Sequence, residues 1–273
     1  MTLGTALRQG TELLAKANVG VPRLTAEVLL CHAVQRERPW LYAHSEDQLR
    51  EVEWIHYGRY LDERMRGKPT QYITRKQEFY GREFRVSPAV LIPRPETEHL
   101  IEAVLKRRNP GRMVDVGTGS GAIAVTLALE TGAPVTATDI SRAALAVAAE
   151  NARRWNAPVY FVETDLLAAM ADQSAAVVVS NPPYVAEGDR DSLQREVRDW
   201  EPHLALFAAD AGLAVYARLI PEAQRVLASG GLLALELGAG LAEAVVAMLA
   251  GWHNLALIND LQSIPRVIVC EKP

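Results

Sequence analysis

Cysteine is scarce in this sequence. Two occur in 273 residues, Cys31 and Cys270, at opposite ends of the chain and neither in a CxxC pair. That excludes a disulfide framework and predicts a reducing compartment, with both thiols as core residues. Long apolar runs are also missing. Nothing approaches the roughly 18 consecutive apolar residues a membrane span needs. The N-terminus lacks a basic segment followed by an apolar stretch and a cleavage site, so no signal peptide is expected. The six histidines, His32, His44, His56, His99, His203 and His253, are scattered without ligand spacing, which predicts no metal. There are no internal repeats and no low-complexity tracts. A soluble, cytoplasmic protein is expected.

What is present suits a sizeable core. Hydrophobic residues make up 49% and charged residues 23%, and the length fits one large domain plus a small one. The net charge of −4 is uneven. Residues 1–95 carry 15 Lys and Arg against 11 Asp and Glu, a balance of +4, whereas residues 96–273 carry 14 against 22, a balance of −8. The asymmetry suggests two units with different tasks. Neither has the dense basic stripe of a duplex-DNA binder, so no stable nucleic-acid binding is expected.

Leu3, Leu7, Gly10 and Leu14 line one helix face, and Pro22 introduces a second apolar face through Leu29, Leu30 and Ala33. Asp47 is a candidate cap for a third helix running towards Met65, stopped by Gly67 and Pro69. The chain therefore begins with a small helical domain, residues 1–74. The aromatic and β-prone residues from Phe79 to Val86, around Gly81, predict a hairpin within a connector, residues 75–95. Residues 96–273 follow as the larger domain, and Pro93, Pro95, Glu96 and Glu98 mark a helix start at its border. Short apolar strands then alternate with helices: Arg112–Val116, Val135–Asp139, Val159–Thr164, Ala176–Ser180 and Leu233–Leu237. Leu255–Ile258 and Arg266–Cys270 form a closing strand pair. This α/β pattern predicts a mostly parallel sheet covered on both faces.

Asp115-Val116-Gly117-Thr118-Gly119-Ser120-Gly121 joins the first strand of that sheet to its helix. Glycines there permit a sharp turn, close approach of a ligand to the backbone and close helix packing. The pattern serves a dinucleotide as well as S-adenosylmethionine (SAM), and the glycines do not decide between them. Asp115 favours SAM, because a carboxylate can face a cationic amino group but is unwelcome beside a pyrophosphate. Asp139, ending the second strand, can accept both ribose hydroxyls of either cofactor. Asp165 can accept from an adenine amino group, with Leu166 against the ring.

Ser180-Asn181-Pro182-Pro183-Tyr184 follows the fourth strand. Proline has no N–H to donate, so sheet pairing stops here and the loop is stiff. An amide or aromatic amine nitrogen is a poor nucleophile, and useful deprotonation is out of reach near neutral pH. A protein can instead accept hydrogen bonds from both N–H groups, here through the Asn181 side-chain oxygen and the Pro182 carbonyl. Such bonds strengthen as positive charge develops on nitrogen, and Tyr184 can stack on the flat group. The loop alone fits a protein glutamine or the amino group of a DNA or RNA base.

With these motifs the chain resembles the HemK/PrmC family, the protein-(glutamine-N5) methyltransferases of peptide chain release factors. The likeness covers nearly the whole chain, including Leu91-Ile92-Pro93-Arg94-Pro95-Glu96-Thr97-Glu98, Glu201-Pro202, Ala205-Leu206 and Asp210–Gly212. It implies a class I SAM-dependent methyltransferase fold, Rossmann-like, with a seven-stranded, mostly parallel sheet whose last strand is antiparallel. It implies methyl transfer to the glutamine of a release factor's Gly-Gly-Gln motif, with S-adenosylhomocysteine as co-product. By position, Gly117, Thr118, Gly119, Ser120, Gly121 and Asp139 would bind the cofactor. Asn181, Pro182, Pro183 and Tyr184 would hold the glutamine, with Asn181 also near the SAM methyl. Relatives often carry a bulkier residue than Leu166. The N-terminal helices would grip the release factor, and nothing demands more than a monomer. The competing expectations are an N6-adenine or guanine-amino methyltransferase and, from another class, a nicotinamide oxidoreductase, which leaves Asn181–Tyr184 unexplained.

Overall fold

A computed structural model of the chain describes residues 1–106 and 111–273. Two compact units emerge, one of Met1–Lys76 with Gln194–Trp200, the other of Gln77–Leu193 with Glu201–Pro273.

The first unit is helical. It contains α1 (Leu3–Lys16), α2 (Pro22–Val34), α3 (Arg38–Ala43), α4 (Glu51–Met65) and α5 (Thr70–Thr74). Leu3, Leu7, Leu14, Leu29 and Leu30 sit in one apolar cluster, as the period of the first two helices predicts, and Tyr57 of α4 joins them. Asp47 does not cap α4. Arg50 takes that place, with its backbone N–H donating to Glu53 Oε2 at 2.9 Å. Glu27, almost fully buried, is satisfied by Arg23 and Tyr42 on Oε1 and by Arg38 on Oε2. These donors hold its pKa below the usual carboxylate value against the upward push of burial.

The second unit begins with the strand pair β1 (Lys76–Phe79) and β2 (Arg82–Arg85), whose first residue belongs to the first unit. Tyr80 and Gly81 between them both have positive φ, 51° and 68°, as a tight two-residue turn requires. Tyr80 is held there by its N–H, which donates to Glu98 Oε1 at 2.8 Å. A 3₁₀ turn, Pro95–Thr97, leads into α6 (Glu98–Leu105). Strands and helices then alternate as β3 (Met113–Val116), α7 (Ala122–Thr131), β4 (Val135–Asp139), α8 (Arg142–Trp155), β5 (Val159–Glu163) and β6 (Ala175–Ser180).

After β6 the chain forms a small parallel pair, β7 (Val185–Ala186) with β8 (Phe207–Ala208). Between these lie α9 (Arg195–Trp200), which belongs to the helical unit, and α10 (His203–Leu206). In that helical unit Glu196 pairs with Arg64 at 2.5 Å and Trp200 lies under the Lys68 ammonium. The sheet is completed by α11 (Ala214–Val226), β9 (Leu227–Glu236), α12 (Ala242–Met248), β10 (His253–Asn259) and β11 (Pro265–Glu271).

Seven strands run in the order β10-β11-β9-β6-β3-β4-β5. The pairings from β9 through β5 are parallel, and β11 is antiparallel to both of its neighbours. This is the class I methyltransferase arrangement that the resemblance implies. One face is covered around α6 and α7 by a cluster including Leu100, Ile101, Met113 and Leu127, and the other around α11 by Tyr216, Leu219, Leu233 and Leu235. Both faces of the central strands are therefore dry, which is why they read as apolar runs without alternation. Among the described residues no helix is long and apolar enough to cross a membrane, and no group of three or more His, Cys, Asp and Glu could hold a metal.

Candidate functional site

Strand register brings the two marked loops side by side. Val116 lies opposite Thr138 on one flank and Ser180 on the other, so β3, β4 and β6 end level. Ser180 Oγ donates to the Val116 carbonyl at 2.7 Å, which fastens two of those ends. Ser180 also pairs with Leu235, which sets Glu236 at the same carboxyl edge. Parallel sheets bind ligands at this edge.

Gly117 and Gly119 adopt φ of 70° and 55°, where a side chain is strained. A Cβ on either would meet no atom within 4 Å, so open space lies over this stretch of backbone. Gly121 has another purpose: its Cβ would fall 3.0 Å from Ala148 Cβ, so glycine lets α7 and α8 approach. The Thr118 and Ser120 side chains are buried, and Thr118 Oγ1 donates to Asp115 Oδ2 at 2.6 Å. The Ser120 carbonyl accepts from Asn151 Nδ2 at 2.8 Å, while Asn151 also exchanges hydrogen bonds with the Arg85 backbone. A single buried asparagine thus ties the hairpin to the glycine loop.

Asp139 is aimed by two backbone donors. Gly119 N–H binds Oδ2 at 2.9 Å and Ser141 N–H binds Oδ1 at 2.8 Å. Each oxygen keeps a further lone pair, which suits the vicinal hydroxyls of a ribose. Asp115 differs from expectation. It is fully buried, with Oδ2 accepting from Thr118 and from the Ala124 N–H at the start of α7, so it braces the loop and presents no open face to a ligand. Its Oδ1 has no partner among the described residues. Burial pushes this carboxyl up to about 7, against the pull of the Thr118 and Ala124 hydrogen bonds. When ionised it lends the loop negative potential, which favours a cationic ligand over a pyrophosphate.

Asp165 and Leu166 lie just beyond β5. Asp165 is exposed and ion-paired with Arg218 at 2.6 Å, and among the described residues no hydrogen bond ties it to the glycine loop. Leu166 has φ 46° and packs half-buried against the α11 face of the sheet.

In the second loop the Asn181 Nδ2 donates to Thr97 Oγ1 at 3.2 Å, and Thr97 Oγ1 donates to Glu236 Oε2 at 2.6 Å. Neither Asn181 Oδ1 nor the Pro182 carbonyl accepts a hydrogen bond among the described residues. Pro182 is buried and Pro183 half-buried. Tyr184 packs against Gly238 and its hydroxyl reaches Glu236 Oε1 at 3.4 Å. Burial and the Glu236 charge raise the Tyr184 phenol far above its ordinary pKa, so it stays protonated. Glu236 itself is pushed up to about 7, by burial first and by Glu96, while Thr97, Tyr184 and Arg266 pull it down.

Sequence reasoning missed Glu236 and gave Thr97 no role. The signal was there: one acid ends the apolar run Leu232–Leu235, and an acid in such a place is seldom buried without partners. Arg94 and Glu201, part of the quoted resemblance, form a 2.6 Å ion pair with Glu201 buried, and Glu201 Oε2 also accepts from Ile92 N–H. They hold the Leu91–Pro95 segment against the sheet unit.

The chain is similar to known proteins. The family profile described as the PrmC N-terminal domain matches residues 5–74, and the methyltransferase small domain matches residues 95–200. The release factor glutamine methyltransferase of Koribacter versatilis (strain Ellin345) is 45% identical over 278 residues, covering 100% of this chain and 99% of that protein. That of Escherichia coli (strain K12) is 39% identical over 252 residues, covering 90% and 91%. A methyltransferase structure from Pyrococcus furiosus has a TM-score of 0.53 at 20% identity, covering 71% of this chain and 90% of that one, a likeness of fold alone. With residues 5–74 and 95–200 matched by family profiles and relatives aligned across nearly its full length, the chain belongs to the family of release factor glutamine methyltransferases.

Proposed function

We propose that the chain transfers a methyl group from SAM to the side-chain amide nitrogen (N5) of the glutamine in the Gly-Gly-Gln motif of peptide chain release factors. The observation that carries this reading is the state of Asn181. Its NH₂ end is engaged by Thr97, which leaves its oxygen and the Pro182 carbonyl as two acceptors at the sheet edge beside the glycine loop. Two acceptors match the two N–H groups of a primary carboxamide. Holding both turns the nitrogen lone pair in one direction, and the bonds tighten as the nitrogen becomes positive. Tyr184 backs the flat group and fixes its plane. No strong base is needed first, because the N–H acidifies once the methyl is attached.

When bound, SAM supplies an electrophilic methyl on a cationic sulfur, and S-adenosylhomocysteine remains. The open backbone at Gly117 and Gly119 and the aimed carboxylate of Asp139 fit such a group. In this reading Gly117, Thr118, Gly119, Ser120, Gly121 and Asp139 hold the cofactor, with Asp165 and Leu166 towards adenine and Asn181 near the methyl. The Asp165 part needs Arg218 to share its partner. The protein acts as a cytoplasmic monomer without stable nucleic-acid binding.

Residues 1–74 recognise the release factor, residues 75–95 connect and residues 96–273 catalyse. Support comes from the helical unit's own core and from Val52 and Ile55, exposed three residues apart on α4. Ile55→Asp is expected to raise the KM for release factor and spare SAM affinity. An unchanged KM would remove that support. For the activity itself, radiolabelled SAM and purified release factor are incubated with the protein. Label should enter wild-type factor and not factor whose Gly-Gly-Gln glutamine is replaced. Equal labelling of both, or preferential labelling of nucleic acid, defeats the assignment.

A further inference from the structure

Three polar side chains lie in line behind the Asn-Pro-Pro-Tyr loop. Glu236 Oε2 accepts from Thr97 Oγ1 at 2.6 Å, and Thr97 Oγ1 accepts from Asn181 Nδ2 at 3.2 Å. Thr97 and Glu236 are 4% and 2% exposed, so water does not compete for these bonds. Thr97 is also set from behind, its N–H donating to the Arg94 carbonyl at 3.1 Å.

The line has a direction. Once ionised, Glu236 only accepts, so the single hydroxyl proton of Thr97 goes to it. With that proton spent, the Thr97 oxygen can only accept, and Asn181 must offer it the NH₂ end of its carboxamide. The two ends of a carboxamide are nearly the same size, so shape alone would let Asn181 turn over. Turned over, it would present N–H groups to the N–H groups of a substrate amide, and the site would repel what it has to hold.

We propose that Thr97, oriented by the buried Glu236, is a positioning residue that fixes the Asn181 carboxamide with its oxygen towards the acceptor nitrogen, and so selects a substrate that brings an NH₂ group. The inference rests on the reading of Asn181 as the acceptor clamp. It assigns a purpose to the threonine of Pro95-Glu96-Thr97-Glu98, and to the buried acid at the end of β9.

Thr97→Val keeps the branched shape and removes the hydroxyl, whereas Thr97→Ser keeps the hydroxyl. With release factor as acceptor, Thr97→Val should lower kcat about tenfold, the size of one misdirected hydrogen bond. Its SAM dissociation constant, measured by calorimetry, should stay within about twofold, because hydrogen bonds to the glycine loop are untouched. Thr97→Ser should recover most of the lost kcat. Wild-type kcat in Thr97→Val would overturn the inference, as would a Thr97→Ser enzyme impaired as deeply as Thr97→Val. Asn181→Ala in the same assay separates the two levels. If it stays active, the clamp reading itself fails. If it is inactive while Thr97→Val is not, only the role of Thr97 fails.

Discussion

Gly238→Ala probes how tightly Tyr184 is held. An added Cβ would stand 2.8 Å from Tyr184 Cδ2, 3.1 Å from Tyr184 Cγ and 3.0 Å from Leu241 Cδ1. Ordinary contact starts at 3.4 Å, so the ring must retreat by 3.4 minus 2.8, about 0.6 Å. Its freedom to do so is small. Gly212 approaches the Tyr184 backbone so closely that a Cβ there would lie 2.2 Å from its carbonyl oxygen, and the Tyr184 hydroxyl is tied to Glu236. Overpacking of this kind costs about 1–3 kcal/mol. For a chain of this size that is a drop of several degrees in Tm, at roughly 2–4 °C per kcal/mol. In the proposed reading the ring sets the plane of the acceptor amide, and a misplacement of about 1 Å can cost on the order of a hundredfold in rate. A shift of about half that size should therefore lower kcat on the order of tenfold, while SAM affinity, read by calorimetry, stays close to wild type. Tyr184→Phe keeps the ring and serves as the control, retaining most activity. A Gly238→Ala enzyme with wild-type kcat would refute the claim that Tyr184 fixes the substrate plane.

Gly119→Val places a branched side chain in a left-handed backbone position and in the open space above the loop. The SAM dissociation constant should rise at least about tenfold, from strain and steric exclusion together; calorimetry showing unchanged affinity would move the cofactor elsewhere. Glu236→Gln tests the buried carboxyl through stability. Its folded pKa is raised to about 7, so between the ordinary carboxyl range and that value the folded state keeps a proton that the unfolded chain releases. Stability therefore falls as pH rises through that window. Asp115, raised to the same region, contributes in the same sense. In thermal melts from about pH 5 to 8 the glutamine variant should lose part of the wild-type downward slope. A slope left intact would mean that Glu236 is ionised throughout.

The parallel core was legible because its strands are buried on both faces and so are apolar throughout. The Gly117–Gly121 loop and Asn181–Tyr184 were legible for a related reason: positive φ, missing N–H donors and stiffness are demands made by residues on their own backbone. Short helices were not. α3 and α5 have six and five residues, too few to show a period, and the start of α4 depends on Arg50 meeting Glu53 rather than on the better capping type at Asp47. α9 was missed as part of the helical unit, since its partners Arg64 and Lys68 are far away in sequence. The line behind Asn181 escaped for the same cause. Thr97 and Glu236 meet across 139 residues, and only the register of β9 against β6 shows that the acid ends beside the clamp. Asp115 was read as facing a cationic ligand group, yet burial turns it to bracing the loop.

The most direct measurement is mass-spectrometric mapping of a release factor after incubation with SAM and the protein, beside the same incubation with Asn181→Ala. One added methyl group on the Gly-Gly-Gln glutamine, at its side-chain amide, is expected with the wild type and should be nearly absent with the variant. A methyl group on any other residue, or the same yield from Asn181→Ala, would contradict methyl transfer to glutamine through this clamp.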